Sequence, residues 1–195
     1  QKEECDGTTI RRQMTRKELY DASIIFAKAL RKQGYQPGDA IAIYMIMNVE
    51  SVIAYLGIIL AGCVVISIAD SFAPEIIAQR LRIANGKAII TQDVILRGGK
   101  KIPLFSKVLQ GTDLPAIVLS AVDGDIEHIE SLRAQDIAWS DFISLGKASD
   151  ENFEPYIADA EDTTNILFSS GTTGDPKAIP WTHITPIRAG ADAWA

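Results

Sequence analysis

Apolar positions along the chain change period several times, and each change marks a predicted element. Leu19, Ala22, Phe26, Ala29 and Leu30 recur at helical spacing, and Thr15-Arg16-Lys17-Glu18 ahead of them has the form of a capping box. Gly34 suits the left-handed position just past a helix, so the spacing predicts a helix over 16–33. After the turn Gln36-Pro37-Gly38-Asp39 comes an almost wholly apolar run, 41–46, of the kind that is buried on both faces of a parallel sheet. The pattern continues as helix (49–61), strand (64–68), helix (75–84, with Pro74 in its first turn) and strand (88–91). Residues 116–119 and 164–169 supply two more strands. Such alternation predicts an α/β fold with a mainly parallel sheet covered by helices.

Two regions carry a weaker pattern. Residues 92–113 are less regular and contain the basic loop Arg97-Gly98-Gly99-Lys100-Lys101. Residues 123–160 are acidic and mixed, with Ser140-Asp141-Phe142-Ile143 suited to a short helix start. Val52 to Ala69 runs 18 residues without a charge, which touches the ~18-residue threshold for a membrane helix. Asn48 as N-cap, Glu50 in the first turn, Gly62 as a stop and the β-branched run after it favour a buried helix followed by a buried strand, so no membrane span is expected.

Charge and cysteine content exclude some functions. The 195 residues carry 19 Lys+Arg against 25 Asp+Glu, a formal charge of −6, so there is no overall positive field to gather nucleic acid. Any anionic ligand must be held locally. Cys5 and Cys63 lie far apart, with neither zinc-ligand spacing nor a secreted disulfide pattern, which suits a reducing, intracellular compartment. No metal site is read from these residues. The chain begins at Gln1 and stops shortly after its most informative motif, so residues 1–195 are expected to be part of a larger domain.

That motif is Ser169-Ser170-Gly171-Thr172-Thr173-Gly174-Asp175-Pro176-Lys177, directly after the strand-like Ile166-Leu167-Phe168. Glycines let the backbone turn its N–H groups toward an anion, hydroxyls donate further hydrogen bonds, and a lysine can neutralise terminal phosphates. The combination is that of a polyphosphate cradle. A Walker A loop needs Gly-Lys adjacent and then Ser or Thr, whereas Asp175-Pro176 separates Gly174 from Lys177 and Ala178 follows. A surface turn rich in Ser, Thr and Gly is the bland alternative.

The nine residues resemble the phosphate-binding signature of the AMP-forming acyl-CoA synthetase, luciferase and peptide-synthetase adenylation superfamily. Met14 to Asp93, including QGYQPGDAIAIYM and the helix–glycine–strand run at Gly62, is similar to the N-terminal region of acyl-CoA synthetases. Ala178 to Arg188 most resembles plant peroxisomal acyl-activating enzymes near acetyl-CoA synthetase. The resemblance implies the large N-terminal domain of an adenylate-forming enzyme. It also implies a reaction in which a small carboxylic acid attacks Mg-ATP to give acyl-AMP, after which CoA forms the thioester. ATP, Mg2+ and CoA are the implied co-substrates, and peroxisome or cytosol the implied compartment. Ser169, Ser170, Gly171, Thr172, Thr173, Gly174 and Lys177 would hold the ATP phosphates. The family's catalytic lysine, ribose-binding acid and magnesium-binding glutamate would lie beyond Ala195, so this stretch is expected to be inactive alone.

The segment from Arg97 through Lys100 to Leu104 is similar to the loop by which acetyl-CoA synthetases hold the 3′-phosphate of CoA. Ser71 and Phe72 lie where that subfamily meets the CoA adenine, and a solvated basic turn is the alternative for the loop. Most relatives have Gly at the position of Ala178, whose methyl group is expected to restrict how the loop folds over the phosphates. His183 and His128 are expected to be structural or superficial, and Cys63 to be core. A non-catalytic nucleotide-binding or scaffold protein on the same fold is the alternative function.

Overall fold

In the computed structural model the described residues are 2–3, 9–10, 13–121, 132–149, 152–169 and 176–193. Lys2–Glu3 (β1) and Thr9–Ile10 (β2) form a short antiparallel pair. Then follow α1 (Arg16–Lys32), β3 (Ala40–Tyr44), α2 (Val49–Leu60), β4 (Val64–Ser67), α3 (Pro74–Ile83) and β5 (Gly86–Gln92). A hairpin, β6 (Val94–Arg97) and β7 (Lys100–Pro103), precedes α4 (Leu104–Gly111), β8 (Ala116–Leu119), β9 (Ile137–Ala138) and α5 (Trp139–Lys147). The last elements are β10 (Thr163–Phe168), β11 (Ala178–Thr182) and α6 (Ile184–Asp192).

The local signals act as their chemistry requires. Thr15 accepts from the Glu18 amide while the Glu18 carboxylate accepts from the Thr15 amide, closing the capping box of α1. Asn48 and Ser51 form the same reciprocal pair at the start of α2. Gly62 ends that helix at φ +84°, which only glycine adopts without strain, so the 18-residue uncharged run breaks into α2 and β4. No described helix is long and apolar enough to cross a membrane.

Seven strands form one sheet in the order β11-β10-β4-β3-β5-β8-β9, parallel except for β11, which runs antiparallel to β10 at the edge. Alternate residues of each central strand enter different cores. Ile41, Val65, Ile90 and Ile117 pack under α1, α2 and α5 with Phe26, Ile58 and Phe142. Ala42, Ile66, Ile89 and Val118 face α3 and α4 with Ile77, Leu81, Leu104 and Val108. The expected parallel α/β sheet is therefore covered on both faces.

The structure corrects several boundaries. β3 ends at Tyr44 rather than 46, and the region 92–113 is regular, folding as the β6–β7 hairpin and α4. Ser140 to Ile143 lie inside α5, which begins one residue earlier at Trp139. β9, β11 and α6 were not anticipated by the pattern.

Helix α5 comes very close to α1. A Cβ on Gly146 would stand 2.0 Å from the Ile25 carbonyl oxygen, so the backbone itself is the obstacle. Gly146→Ala is expected to destabilise the protein by about 3 kcal/mol, the upper end of overpacking costs. That corresponds to a Tm lower by about 6–12 °C for a chain of this size, measurable by thermal unfolding.

Candidate functional site

Parallel strands place all their carboxyl ends on one rim, and in an open α/β sheet that rim is where ligands bind. Here β10, β4, β3 and β5 are neighbours in that order. The segments leaving them are the 169–177 loop, residues 68–73, residues 45–48 and the β6–β7 hairpin. The described ends of the 169–177 motif, the segment with Ser71 and Phe72 and the hairpin with Arg97 and Lys100 all lie on this rim.

The phosphate-loop motif joins β10 to β11. Phe168 pairs with Ala178, the Ser169 amide donates to the Lys177 carbonyl at 3.0 Å, and the Lys177 amide lies 3.4 Å from Ser169 Oγ. The two ends of the motif are thus clamped together as the neck of a hairpin. Lys177 is exposed. Ser170, Gly171, Thr172, Thr173 and Gly174 lie outside the described residues. Ala178 is the first residue of β11, exposed and in extended backbone, so its methyl group sits in the hairpin stem rather than in the loop.

The basic loop has a defined geometry. Gly98 and Gly99 both take positive φ, +57° and +72°, as a two-residue type I′ hairpin turn demands. Arg97 and Lys100 are directly paired across β6 and β7. The Arg97 guanidinium reaches Asp70, with Nη2 2.5 Å from Oδ2, so this hairpin is joined to the segment that contains Ser71 and Phe72. Lys100 is exposed, as is Ser71, while Phe72 is partly buried.

Between these segments stands Tyr44, the last residue of β3 and fully buried. Its hydroxyl lies 3.1 Å from the Asp70 carbonyl oxygen and 2.9 Å from that of Phe72, donating one shared hydrogen bond. Lys107 of α4 reaches the same Phe72 carbonyl at 3.4 Å. Burial, and secondarily the Asp70 carboxylate, push the Tyr44 phenol up to about 12, so it remains a donor throughout the neutral range.

A mostly apolar cavity of about 810 Å³ opens beside this rim, with Met45, Tyr55, Ile68, Phe72, Arg80 and Phe168 in its wall. Arg80 sits between two of them, its Cζ 4.0 Å from the Phe72 ring centre and 4.8 Å from that of Phe168. Its Nε is buried and has no hydrogen-bond partner among the described residues. Burial holds the guanidinium below its ordinary pKa, and the two aromatic faces are what compensate the charge. Phe168 immediately precedes Ser169, so Arg80 links the neck of the phosphate loop to Phe72.

Asp70, Tyr44 and Arg80 escaped the sequence reading. The available signal was position, since Asp70 comes three residues after the end of β4 and Tyr44 ends β3, on the binding rim. The remaining candidates fall elsewhere. His183 follows β11 at the opposite end of that strand, about 17 Å of extended chain from Ala178, and its amide donates to Asp162 at 3.1 Å. Cys63 is buried, with its thiol 3.3 Å from the Gln36 carbonyl oxygen and pushed up to about 12 by burial. Residue 128 is not among those described. No described cluster of three His, Cys, Asp or Glu residues could hold a metal ion.

Comparison with known proteins bears on this rim as a whole. The sequence profile of the AMP-binding enzyme family matches residues 3–194. A probable acyl-activating enzyme 18, peroxisomal, of Arabidopsis thaliana is 51% identical over 185 residues, which is 93% of this chain and 25% of that protein. Hexanoyl-CoA synthase of Cannabis sativa is 48% identical over 168 residues, 86% of this chain and 23% of that protein. The chain therefore spans about a quarter of the length of these relatives. Among solved structures, a Brucella canis acyl-CoA synthetase superposes with a TM-score of 0.77 at 23% identity, covering 98% of this chain and 31% of that one, a likeness of fold.

The tyrosine at the centre of the rim supplies a direct test. Tyr44→Phe removes the donor shared by the Asp70 and Phe72 carbonyls, leaving the latter only Lys107, and is expected to cost about 1–2 kcal/mol. Because the folded phenol titrates near 12 against an unfolded value near 10, the wild type should also lose stability as pH rises from 10 towards 12. That alkaline loss should be blunted in Tyr44→Phe, as urea unfolding across this pH range will show.

Proposed function

Since the chain belongs to the AMP-binding enzyme family, we propose that it is the ATP- and CoA-facing part of an enzyme that activates a carboxylic acid to acyl-AMP and passes the acyl group to CoA. The observation that carries this reading is the clamped neck at Ser169 and Lys177, standing on the same rim as the Asp70–Phe72 segment and the β6–β7 hairpin. A hairpin closed at its neck presents its loop residues as a group, and this loop offers hydroxyls, glycine amides and a lysine.

In this reading Ser169, Ser170, Gly171, Thr172, Thr173, Gly174 and Lys177 hold the β- and γ-phosphates of ATP. They stabilise the charge that gathers on pyrophosphate as the acid's carboxylate attacks the α-phosphorus. Arg97 and Lys100 hold the 3′-phosphate of CoA, and Ser71 with Phe72 meets its adenine. ATP enters as its Mg2+ complex. The described residues offer no cluster of ligands for the ion. The name of the Arabidopsis relative supplies the peroxisome as the compartment of this proposal, with the cytosol as its alternative, and that of hexanoyl-CoA synthase a small carboxylic acid as the substrate class.

Two experiments on the full-length protein test the assignments. Lys177→Ala removes a charge-assisted phosphate contact of about 1.5–3 kcal/mol, so acyl-AMP formation should slow about 10- to 150-fold in single-turnover kinetics. Thioester formation from preformed acyl-AMP should change far less, because pyrophosphate has already left. A folded variant equally slow from both starting points means that the loop is no pyrophosphate cradle.

Charge reversal at Arg97 and Lys100 should raise the KM for CoA and spare acid-dependent exchange of pyrophosphate into ATP, which needs no CoA. Equal loss in both assays assigns the hairpin to folding or to ATP instead. Pyrophosphate exchange absent from the wild type under all acids tried points to a non-catalytic nucleotide-binding protein.

A further inference from the structure

The Arg97–Asp70 pair is asymmetric. The Arg97 side chain is 52% exposed and that of Asp70 17%, so the carboxylate lies behind the guanidinium, on the protein side. A single contact, Nη2 to Oδ2, joins them, and the other N–H donors of the planar fork have no hydrogen-bond partner among the described residues. The backbone of Asp70 is itself fixed, by the buried Tyr44 hydroxyl at the Asp70 and Phe72 carbonyls and by Lys107 at the latter. A connected path therefore runs from the end of β3 to the guanidinium.

We propose that Asp70 is a positioning residue for phosphate recognition on this rim: it holds the Arg97 guanidinium so that its free edge faces an incoming phosphomonoester. The inference rests on the CoA reading of the hairpin, in which that group is the 3′-phosphate. Arginine suits the role because its charge persists beside an acid and its rigid fork can serve two anions from different edges. Unheld, this long side chain would have to be ordered at the moment of binding, and part of the contact energy would go into that ordering. A carboxylate on the solvent side of the guanidinium would repel the phosphate, and the exposures put it on the other side.

The test compares KM for CoA with KM for dephospho-CoA, which lacks only the 3′-phosphate, in the full-length wild type and in Arg97→Ala, Asp70→Ala and Asp70→Asn. Loss of the preference for CoA in Arg97→Ala supports the phosphate reading of the hairpin. Asp70→Ala is then expected to raise the KM for CoA about two- to fivefold more than that for dephospho-CoA, the scale of an exposed ion pair. Asp70→Asn, nearly isosteric and still able to accept from the guanidinium, should give a smaller change of the same sign, and it carries the test if the alanine variant does not fold. An Asp70 variant that raises both KM values equally, leaves both unchanged or lowers the KM for CoA overturns the positioning role even when Arg97→Ala behaves as expected. If Arg97→Ala keeps the wild-type preference for CoA, the hairpin does not read the phosphate, and the role of Asp70 falls with that assignment.

Discussion

Burial of β3 on both faces and along both edges is the constraint from which the rest of the molecule follows. With β4 on one side, β5 on the other and a helical layer above and below, four of its five residues are buried and only Ile43 is partly open. Its backbone groups find their partners in the two neighbouring strands, both of which pair with it in parallel, and its side chains are left only the choice of which core to fill. Polar chemistry is expelled to the strand ends. At the carboxyl end the chain meets that demand with side chains, as Gln92 Oε1 accepts from the Ile46 amide at 3.3 Å and the Tyr44 hydroxyl serves two carbonyls of the next segment.

The rim is therefore a set of loops held by the frame that expels them. Asp93 shows the same principle one strand further on, its Oδ1 accepting from the amides of Val94 and Ala121. This joins the start of the hairpin to the segment after β8. Arg80 adds a different kind of tie, a partly buried cation held between two aromatic faces rather than by an acid among the described residues. An acid in its place would have required desolvating two charges, and the rings avoid that cost. Through Arg80 and Asp70 the segment proposed to meet ATP and those proposed to meet CoA are tied to one another.

Much of this frame was legible because its signals are local. The alternation of α1, β3, α2, β4, α3 and β5 is written in period changes, the starts of α1 and α2 in capping boxes, and the break at Gly62 in one glycine. The elements that were missed lack such marks. Helices α4 and α6 begin without a side-chain cap hydrogen bond, and β11 has exposed Ile179 and Trp181 and a proline, so its extended form depends on pairing with β10. Of the candidate site, the proposed phosphate loop could be singled out because its candidate donors are consecutive. The Asp70–Arg97 pair could not, because its partners are 27 residues apart and meet only when β4 and β5 take their places either side of β3.

Ala178 shows how a correct residue-level argument can attach to the wrong place. A methyl group on a loop glycine would narrow the conformations open to a phosphate cradle. In the structure the residue is the partner of Phe168 in the β10–β11 ladder, with its side chain exposed, so the methyl group belongs to the stem. Its effect runs the other way. Glycine in a strand interior surrenders more backbone entropy on folding than alanine does. Alanine here therefore favours the paired stem, and with it the clamp between Ser169 and Lys177 from which the loop is presented. What the substitution restricts is the opening of the hairpin neck, and a firmer neck holds Lys177 and the Ser169 hydroxyl closer to one arrangement, as the proposed phosphate cradle would require.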